Sequence, residues 1–241
     1  MNLRNLLYAA VLAAAAGLAM PGAAQQPPLR LPPAVTAAST GLTVAPGINA
    51  ADLLDLRSIA PFHTLDAPPM VPAAAADFLD DSDYVLGITM NGESRAYPTR
   101  YVWWHHAIND RIGSSPITAR PIAVTYCSVC NTGIAYNPGL QGKTRLLDFY
   151  GLYQGVVTLI DRQSQSVFLQ ADGRFVSGPL MGKSLKTYPL LDTTWGEWKK
   201  LHPDSLVMSP NTAYQAHYHP KGIPEPRGYD QFPLPFFAES Y

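Results

Sequence analysis

The sequence predicts an α+β fold, namely a single β-rich domain of hairpins with a few short helices. Short apolar or β-branched runs recur through the centre of the chain, separated by turn residues. Asn91-Gly92 and Asp172-Gly173 lie between such runs, where hairpin turns favour them. Helical spacing of apolar residues is confined to short stretches. A chain of 241 residues is long enough to build one domain with a full core.

Four parts follow from composition. In residues 1–24 a basic residue precedes an apolar segment and small residues, a pattern typical of a secretory signal peptide. Residues 25–72 are a Pro/Ala-rich arm with a short helix, residues 73–209 are the β-rich α+β domain, and residues 210–241 are an irregular Pro/aromatic-rich tail. The protein is therefore expected to be periplasmic or secreted, without stable membrane insertion after cleavage. An uncleaved anchor is the alternative, although about 15 apolar residues fall short of a spanning helix.

The strands predicted in order are short and mostly paired by turns. They are Tyr84–Met90, Glu93–Tyr97, Ile122–Tyr126, Thr132–Tyr136, Arg145–Tyr150, Val156–Ile160, Val167–Gln170 and Arg174–Ser177.

Three stretches are predicted to be helical. Residues 48–59 contain clustered leucines, and residues 99–109 place aromatic and apolar side chains on one face. Residues 192–201 combine two tryptophans with Thr194 and Glu197 in capping-box spacing, and Pro203 marks the stop.

Charge excludes one class of partner. The formal net charge is -1 and only 15% of residues are charged, so no basic stripe is available to neutralise phosphates. Nucleic acid is therefore not expected to bind. The chain also lacks the G-x-S-x-G, H-E-x-x-H and phosphate-cradling glycine motifs, which leaves the common hydrolase classes without support.

The chemistry of the chain centres on its two cysteines, Cys127 and Cys130. They follow an apolar run, so they are expected where a strand meets a turn. Export makes a disulfide the default, but a bridge across two intervening residues constrains the unfolded chain little. A thioredoxin fold is disfavoured because residues 131–133, Asn-Thr-Gly, open a helix poorly. The spacing therefore suits a metal site or a redox couple.

Five motifs carry a resemblance to a known family. In chain order they read RAYPTRYVWWHHAIND, PIAVTYCSVCNTGIAY, LIDRQSQSVF, GPLMGKSL and TTWGEWKKLHPDSLVMS. The chain resembles, over roughly residues 84–209, the domain-of-unknown-function family 3179 of bacterial, mostly exported proteins, which has no assigned activity. The resemblance implies family positions at Trp104-His105, Asn109-Asp110, Cys127, Cys130 and Asp161-Arg162. The chain differs from the family pattern at His106, commonly an acidic residue, and at Phe168, commonly a tryptophan.

The first hypothesis is a metal site. Cys127 and Cys130 with His105 or His106 offer two soft sulfurs and an imidazole, a set that binds copper or zinc. Copper is favoured because the compartment is extracytoplasmic. Adjacent residues on a helix point about 100° apart, so at most one of the two histidines is expected to bind. Asp110 is expected either to orient that histidine through a hydrogen bond or to act as a helix C-terminal cap or turn residue.

Two other functions compete with the metal site. A thiol-disulfide oxidoreductase would use Cys127 and Cys130 against a thiol or disulfide protein partner. A non-catalytic extracytoplasmic module would keep the pair as a structural disulfide. Beyond the cysteines, Asp161-Arg162 is expected to be a turn-closing pair or a buried ion pair, and His217 and His219 are expected to be solvated.

Overall fold

The computed structural model describes residues 35–223 except residues 59 and 61. The predicted signal peptide therefore lies outside the described residues. The predicted α+β class is wrong, because the protein is mostly β-sheet, with 42% of residues in strands and 13% helical. The expectation of a β-rich fold of hairpins is retained. No helix in the described part of the chain is long and apolar enough to cross a membrane.

The described elements comprise seventeen strands, three short α-helices and two 3-10 helices. In chain order they are β1 Val35–Thr36, α1 Ala37–Thr40, β2 Leu53–Asp55, β3 Leu65–Asp66, β4 Met70–Pro72, a 3-10 helix Ala73–Ala75, β5 Tyr84–Met90, β6 Glu93–Pro98, α2 Thr99–His105, β7 Ala107–Ile112, β8 Arg120–Cys127, β9 Thr132–Asn137, β10 Gly139–Leu140, β11 Lys143–Thr144, β12 Leu147–Tyr153, β13 Val156–Asp161, β14 Val167–Leu169, β15 Lys186–Tyr188, β16 Leu191–Thr194, α3 Trp195–Leu201, β17 Leu206–Met208 and a 3-10 helix Gln215–His217.

These strands form three five-stranded sheets and one two-stranded ribbon, β10-β11. The sheet that carries the cysteines, here called the cysteine sheet, has the order β15-β9-β8-β7-β3. The other two have the orders β1-β2-β12-β13-β14 and β16-β5-β6-β17-β4. Pairing is antiparallel except for β3 with β7 and β6 with β17.

Two hydrophobic cores lie on opposite faces of the cysteine sheet. Successive side chains of a strand alternate between faces. Accordingly, Ile122, Val124 and Tyr126 of β8 belong to one core, with residues of β5, β6, α2 and α3. Ala123 and Cys127 belong to the other, with residues of β12, β13 and β14. The alternation therefore buries Cys127 between two sheets.

Two of the predicted helices differ from the structure. The helix predicted over residues 99–109 ends at His105, and His106 adopts a left-handed conformation with φ 56°. The next six residues, strand β7, all pair with residues 120–125 of β8, and this pairing outweighs their helical spacing. The short helix predicted within residues 48–59 is replaced by strand β2, which pairs with β1 and β12. Strand pairing therefore determines the conformation of both segments.

The third predicted helix is confirmed as α3. The Thr194 side chain accepts a hydrogen bond from the Glu197 N–H at 3.3 Å, as capping-box spacing predicts. Trp195 and Trp198 are buried against the sheet. A Cβ on Gly87 would lie 2.2 Å from the Trp198 ring, so α3 can pack this closely on β5 only because residue 87 has no side chain.

Candidate functional site

The two cysteines form a disulfide at the hairpin between β8 and β9. Cys127 is the last residue of β8, Cys130 follows three residues later, and their Cα atoms are 5.5 Å apart. Cys127 has no exposed surface, whereas Cys130 is half-buried. The turn closes through Asn131, whose φ of 53° is left-handed, a conformation that asparagine tolerates better than most residues. The pair is therefore asymmetric, with one buried and one partly accessible member.

Local hydrogen bonds fix the conformation of this turn. The Cys130 N–H donates to the Cys127 sulfur at 3.3 Å. The Thr132 hydroxyl donates to the Cys130 carbonyl at 3.0 Å, and the Tyr126 hydroxyl donates to the Asn131 side chain at 2.5 Å. A hydrogen bond to sulfur favours the thiolate over the thiol. The backbone thus already provides a donor for the buried sulfur if the disulfide opens.

A buried glutamine packs behind the hairpin. Gln170, which directly follows β14, has no exposed surface. Its Nε2 donates to the Thr132 carbonyl at 3.1 Å and lies 3.4 Å from the Thr125 hydroxyl. Its own carbonyl accepts a hydrogen bond from the Tyr136 hydroxyl at 2.6 Å. A neighbouring sheet thus holds the base of the cysteine hairpin.

The two predicted histidines point to different partners. His106 donates from Nδ1 to the Tyr126 carbonyl at 3.0 Å, directly before Cys127. Its ring contacts Phe62 and Phe149, which pack in the core that contains both cysteines. Burial lowers the pKa of His106 to about 4, so this imidazole is neutral at neutral pH.

His105 lies in a separate aromatic cluster. Its Nδ1 donates to the His63 carbonyl at 2.5 Å, and its Nε2 accepts from the Tyr218 hydroxyl at 2.7 Å. Burial lowers the pKa of His105 to about 4 as well. Both ring nitrogens are therefore engaged with protein partners.

The predicted metal ligands do not converge in the described residues. Within residues 35–223, gaps excepted, no group of three or more His, Cys, Asp or Glu side chains is arranged to hold a metal ion. The sulfurs of Cys127 and Cys130 are bonded to each other, and thiolates are what bind metal. Copper or zinc binding by the reduced pair stays a prediction.

Asp110 lies on β7, opposite Ile122 of β8 rather than near the cysteine turn. Its carboxylate accepts hydrogen bonds from Arg95 at 2.6 Å and from the Tyr97 hydroxyl at 2.8 Å. These contacts tie β6 to β7. Asp110 therefore links two sheets and does not occupy the helix-capping position that the sequence suggested.

Asp161 and Arg162 form separate ion pairs. Asp161 is fully buried, lies 3.3 Å from Arg145 and accepts from the Ser164 hydroxyl at 2.6 Å, which closes a turn after β13. Arg162 reaches instead to carboxylates on β3 and β12. Arg162 therefore links β3 and β12, Asp161 binds the segment just before β12, and the two residues do not pair with each other.

The two tail histidines stack on α2. The His217 ring lies 4.2 Å from Trp104 and nearly parallel to it, and the His219 ring lies 4.5 Å from Trp103. His217 remains exposed, as expected, while His219 is half-buried. The segment that carries them covers the aromatic face of the helix.

A family model described as "Protein of unknown function (DUF3179)" matches residues 61–237, well over half of the chain. The chain belongs to this family. The match includes the cysteine hairpin, His105, His106 and the segment whose histidines stack on α2. Searches of the curated proteins and of the solved structures returned no match. The description of the DUF3179 family assigns no activity.

Sequence reasoning missed Gln170 as part of this site. Residue 170 appeared only as the end of a predicted strand, and it lies 40 residues or more from the cysteines along the chain. Its contacts with Thr125 and Thr132 arise from the packing of two sheets, which no local pattern encodes. The only feature of the sequence that could have indicated Gln170 is its position as a polar residue at the end of an otherwise apolar strand.

Proposed function

We propose that this DUF3179 protein exchanges thiols and disulfides through Cys127 and Cys130. The observation that carries the proposal is the asymmetry of the pair. Cys130 is partly exposed, while Cys127 is fully buried and its sulfur accepts the Cys130 N–H. An accessible sulfur can be attacked by an external thiolate, and a partner sulfur whose thiolate is stabilised leaves faster.

The exchange starts at the accessible sulfur. A thiolate of a dithiol protein attacks the Cys130 sulfur, the Cys127–Cys130 bond breaks, and Cys127 leaves as a thiolate. The Cys130 N–H supports that thiolate by donating to its sulfur. The partner's second thiolate then attacks its own sulfur in the mixed disulfide and releases the Cys130 thiolate. The partner is oxidised, and this chain gains two electrons and, at neutral pH, the protons that its thiolates accept.

The proposed partner class follows from the predicted destination. The signal peptide predicted in residues 1–24 would deliver the protein to a compartment where disulfides form and persist. Proteins that carry a dithiol or a disulfide are abundant there. A small loop of two intervening residues also gives the disulfide little value as a staple, which supports a chemical use.

Single-cysteine variants test the proposal. In Cys127→Ser the partly exposed Cys130 keeps its thiol, so oxidised glutathione is expected to convert it to a mixed disulfide within minutes to hours, as mass spectrometry would detect. Cys130→Ser is the matched control. Its remaining thiol is buried, so its reaction is expected to be at least about tenfold slower because access limits exchange.

The wild-type protein separates catalysis from structure. Reduced glutathione is expected to reduce the disulfide of the native protein. The rate should be comparable to the rate at which it reduces the disulfide of the unfolded protein. A disulfide that resists reduced glutathione until the protein is denatured would contradict the proposal and favour the structural module. Circular dichroism would verify that each variant is folded before its thiol is assayed.

A further inference from the structure

The Gln170 side chain has an identifiable orientation. The Thr132 carbonyl can only accept hydrogen bonds, so the Gln170 atom 3.1 Å from it must be the donor Nε2. The other amide atom, Oε1, is then the acceptor. Oε1 is buried and has no hydrogen-bond partner among the described residues.

An unpaired buried acceptor is costly. Leaving a buried polar atom without a partner costs about 1–3 kcal/mol, and most such atoms in folded proteins are paired. Gln170 has no exposed surface through which water in bulk solvent could reach this oxygen. A neighbouring side chain that gains a hydrogen-bond donor in another redox state is therefore a candidate partner for this oxygen.

Cys127 is the neighbour that changes with redox state. Thr132 lies directly opposite Cys127 in the β8-β9 ladder, and Thr125 lies two residues before Cys127 on the same face of β8. Opposed residues of a ladder have Cβ atoms about 4.5–5.5 Å apart. Gln170 Nε2 contacts the Thr125 hydroxyl and the Thr132 carbonyl, which places the amide on the face of β8 that Thr125 shares with Cys127.

We propose that Gln170 is a positioning residue that sets the thiol-disulfide balance of the pair. In the disulfide, the Cys127 sulfur has no proton and accepts the Cys130 N–H. After reduction by a dithiol partner, the protonated Cys127 S–H donates to Gln170 Oε1. The proposal rests on the proposed function, because it requires that the disulfide be reduced in the folded protein.

The first test is the equilibrium between wild-type protein and glutathione. Gln170→Met keeps a side chain of similar length and removes the acceptor. We expect the equilibrium constant to shift about fivefold toward the disulfide, because one neutral hydrogen bond contributes about that factor. The same shift equals about 20 mV in reduction potential. An unchanged constant would overturn the proposal.

Tyr136→Phe is the matched structural control. It removes the 2.6 Å hydrogen bond to the Gln170 carbonyl but leaves the side-chain amide in place. This variant should melt at a lower temperature in both redox states and keep the wild-type equilibrium constant. If Tyr136→Phe shifts the constant as far as Gln170→Met does, Gln170 only braces the hairpin and the proposal fails.

Infrared spectroscopy provides a test that does not depend on redox equilibria. In Cys130→Ser, Cys127 is the only thiol of the chain. Its S–H stretching band is expected below the frequency of a thiol without an acceptor, and Gln170→Met in the same background should raise it. A band that does not move would overturn the proposal.

These tests fail differently from those of the proposed function. If glutathione never reduces the native wild-type disulfide, thiol-disulfide exchange is wrong, whatever Gln170 does. If exchange proceeds but Gln170→Met alters neither the equilibrium constant nor the S–H band, only the role of Gln170 is wrong.

Discussion

Two buried imidazoles at the end of α2 link stability to pH. His105 and His106 are each less than one-tenth exposed, and burial lowers the pKa of both to about 4. In the unfolded chain a histidine has a pKa of about 6.5. As pH falls from about 6.5 to about 4, these histidines therefore bind protons in the unfolded chain but not in the folded protein. Folding stability is fully present above this window and decreases within it.

The slope can be measured by urea denaturation between pH 6.5 and 5. Each buried imidazole is expected to remove up to about 1.4 kcal/mol of stability per pH unit. His106→Phe keeps the ring contacts with Phe62 and Phe149 but has no titrating group, so its slope should be smaller by about one such contribution. Tyr136→Phe serves as the control and should keep the wild-type slope. Equal slopes for His106→Phe and wild type would show that His106 titrates normally.

Local sequence pattern predicted where the cysteine pair lies, but not which side chains surround it. The cysteine pair at a strand end was evident from an apolar run followed by a C-x-x-C spacing. Which histidine lies near it depended on where α2 ends. Strand pairing of β7 with β8 ends the helix at His105 and places His106 in a left-handed position, a long-range effect that helical spacing does not contain.

At the scale of elements, three two-residue hairpin turns share one backbone form. Asn91-Gly92, Gln141-Gly142 and Gln154-Gly155 all have positive φ at both positions, as type I′ turns require. Sequence predicted only the Asn-Gly turn, because glutamine is not a favoured residue with positive φ. The flanking strands impose this conformation on the two glutamines. Glutamine here indicates local strain that a better turn residue would relieve.

Gln154→Asn tests this turn. Asparagine tolerates a positive φ, so we expect the free energy of unfolding to rise by about 0.5 kcal/mol, a typical gain for an improved surface residue. The exposed hydrogen bond from Gln154 to Asp52 is lost, at little cost. Gln154→Val should instead lower stability by about 1 kcal/mol or more, since β-branched residues resist this region. Equal thermal melting of both variants would contradict the argument.

At the scale of the whole molecule, sheet order is the property that sequence did not predict. Strands β3 and β4 lie outside the predicted β-rich domain, in residues 25–72, yet they pair with β7 and β17. Similarly, β17 pairs in parallel with β6, which lies more than 100 residues earlier. Local patterns specify that a segment is extended, but not which distant edge completes its hydrogen bonds. The helices and hairpins were therefore predictable in part, and the three sheets were not.

The segment after β17 is a further case of long-range packing. Tyr218 is 8% exposed, belongs to the same core as α2 and joins His105 to Thr212 through its hydroxyl. The buried Arg100 donates to the carbonyl of His219. Sequence predicted an irregular tail over residues 210–241. In the part of it that the structure describes, residues 210–223, a 3-10 helix forms and Tyr218 completes a core.

Ending the chain after Ser209 would test how much this segment contributes. The deletion removes Tyr218 and both stacked histidines, and it exposes the aromatic face of α2. Loss of a buried aromatic side chain alone costs about 3–5 kcal/mol, a large part of the 5–15 kcal/mol typical of a domain. We therefore expect the shortened protein to be largely unfolded or aggregated, as judged by circular dichroism and size-exclusion chromatography.

Tyr218→Ala in the full chain should lower the urea midpoint, whereas Tyr218→Phe should lower it less because the ring remains. If the shortened protein unfolds at the same urea concentration as the full chain, the segment is a surface tail and contributes nothing to the core.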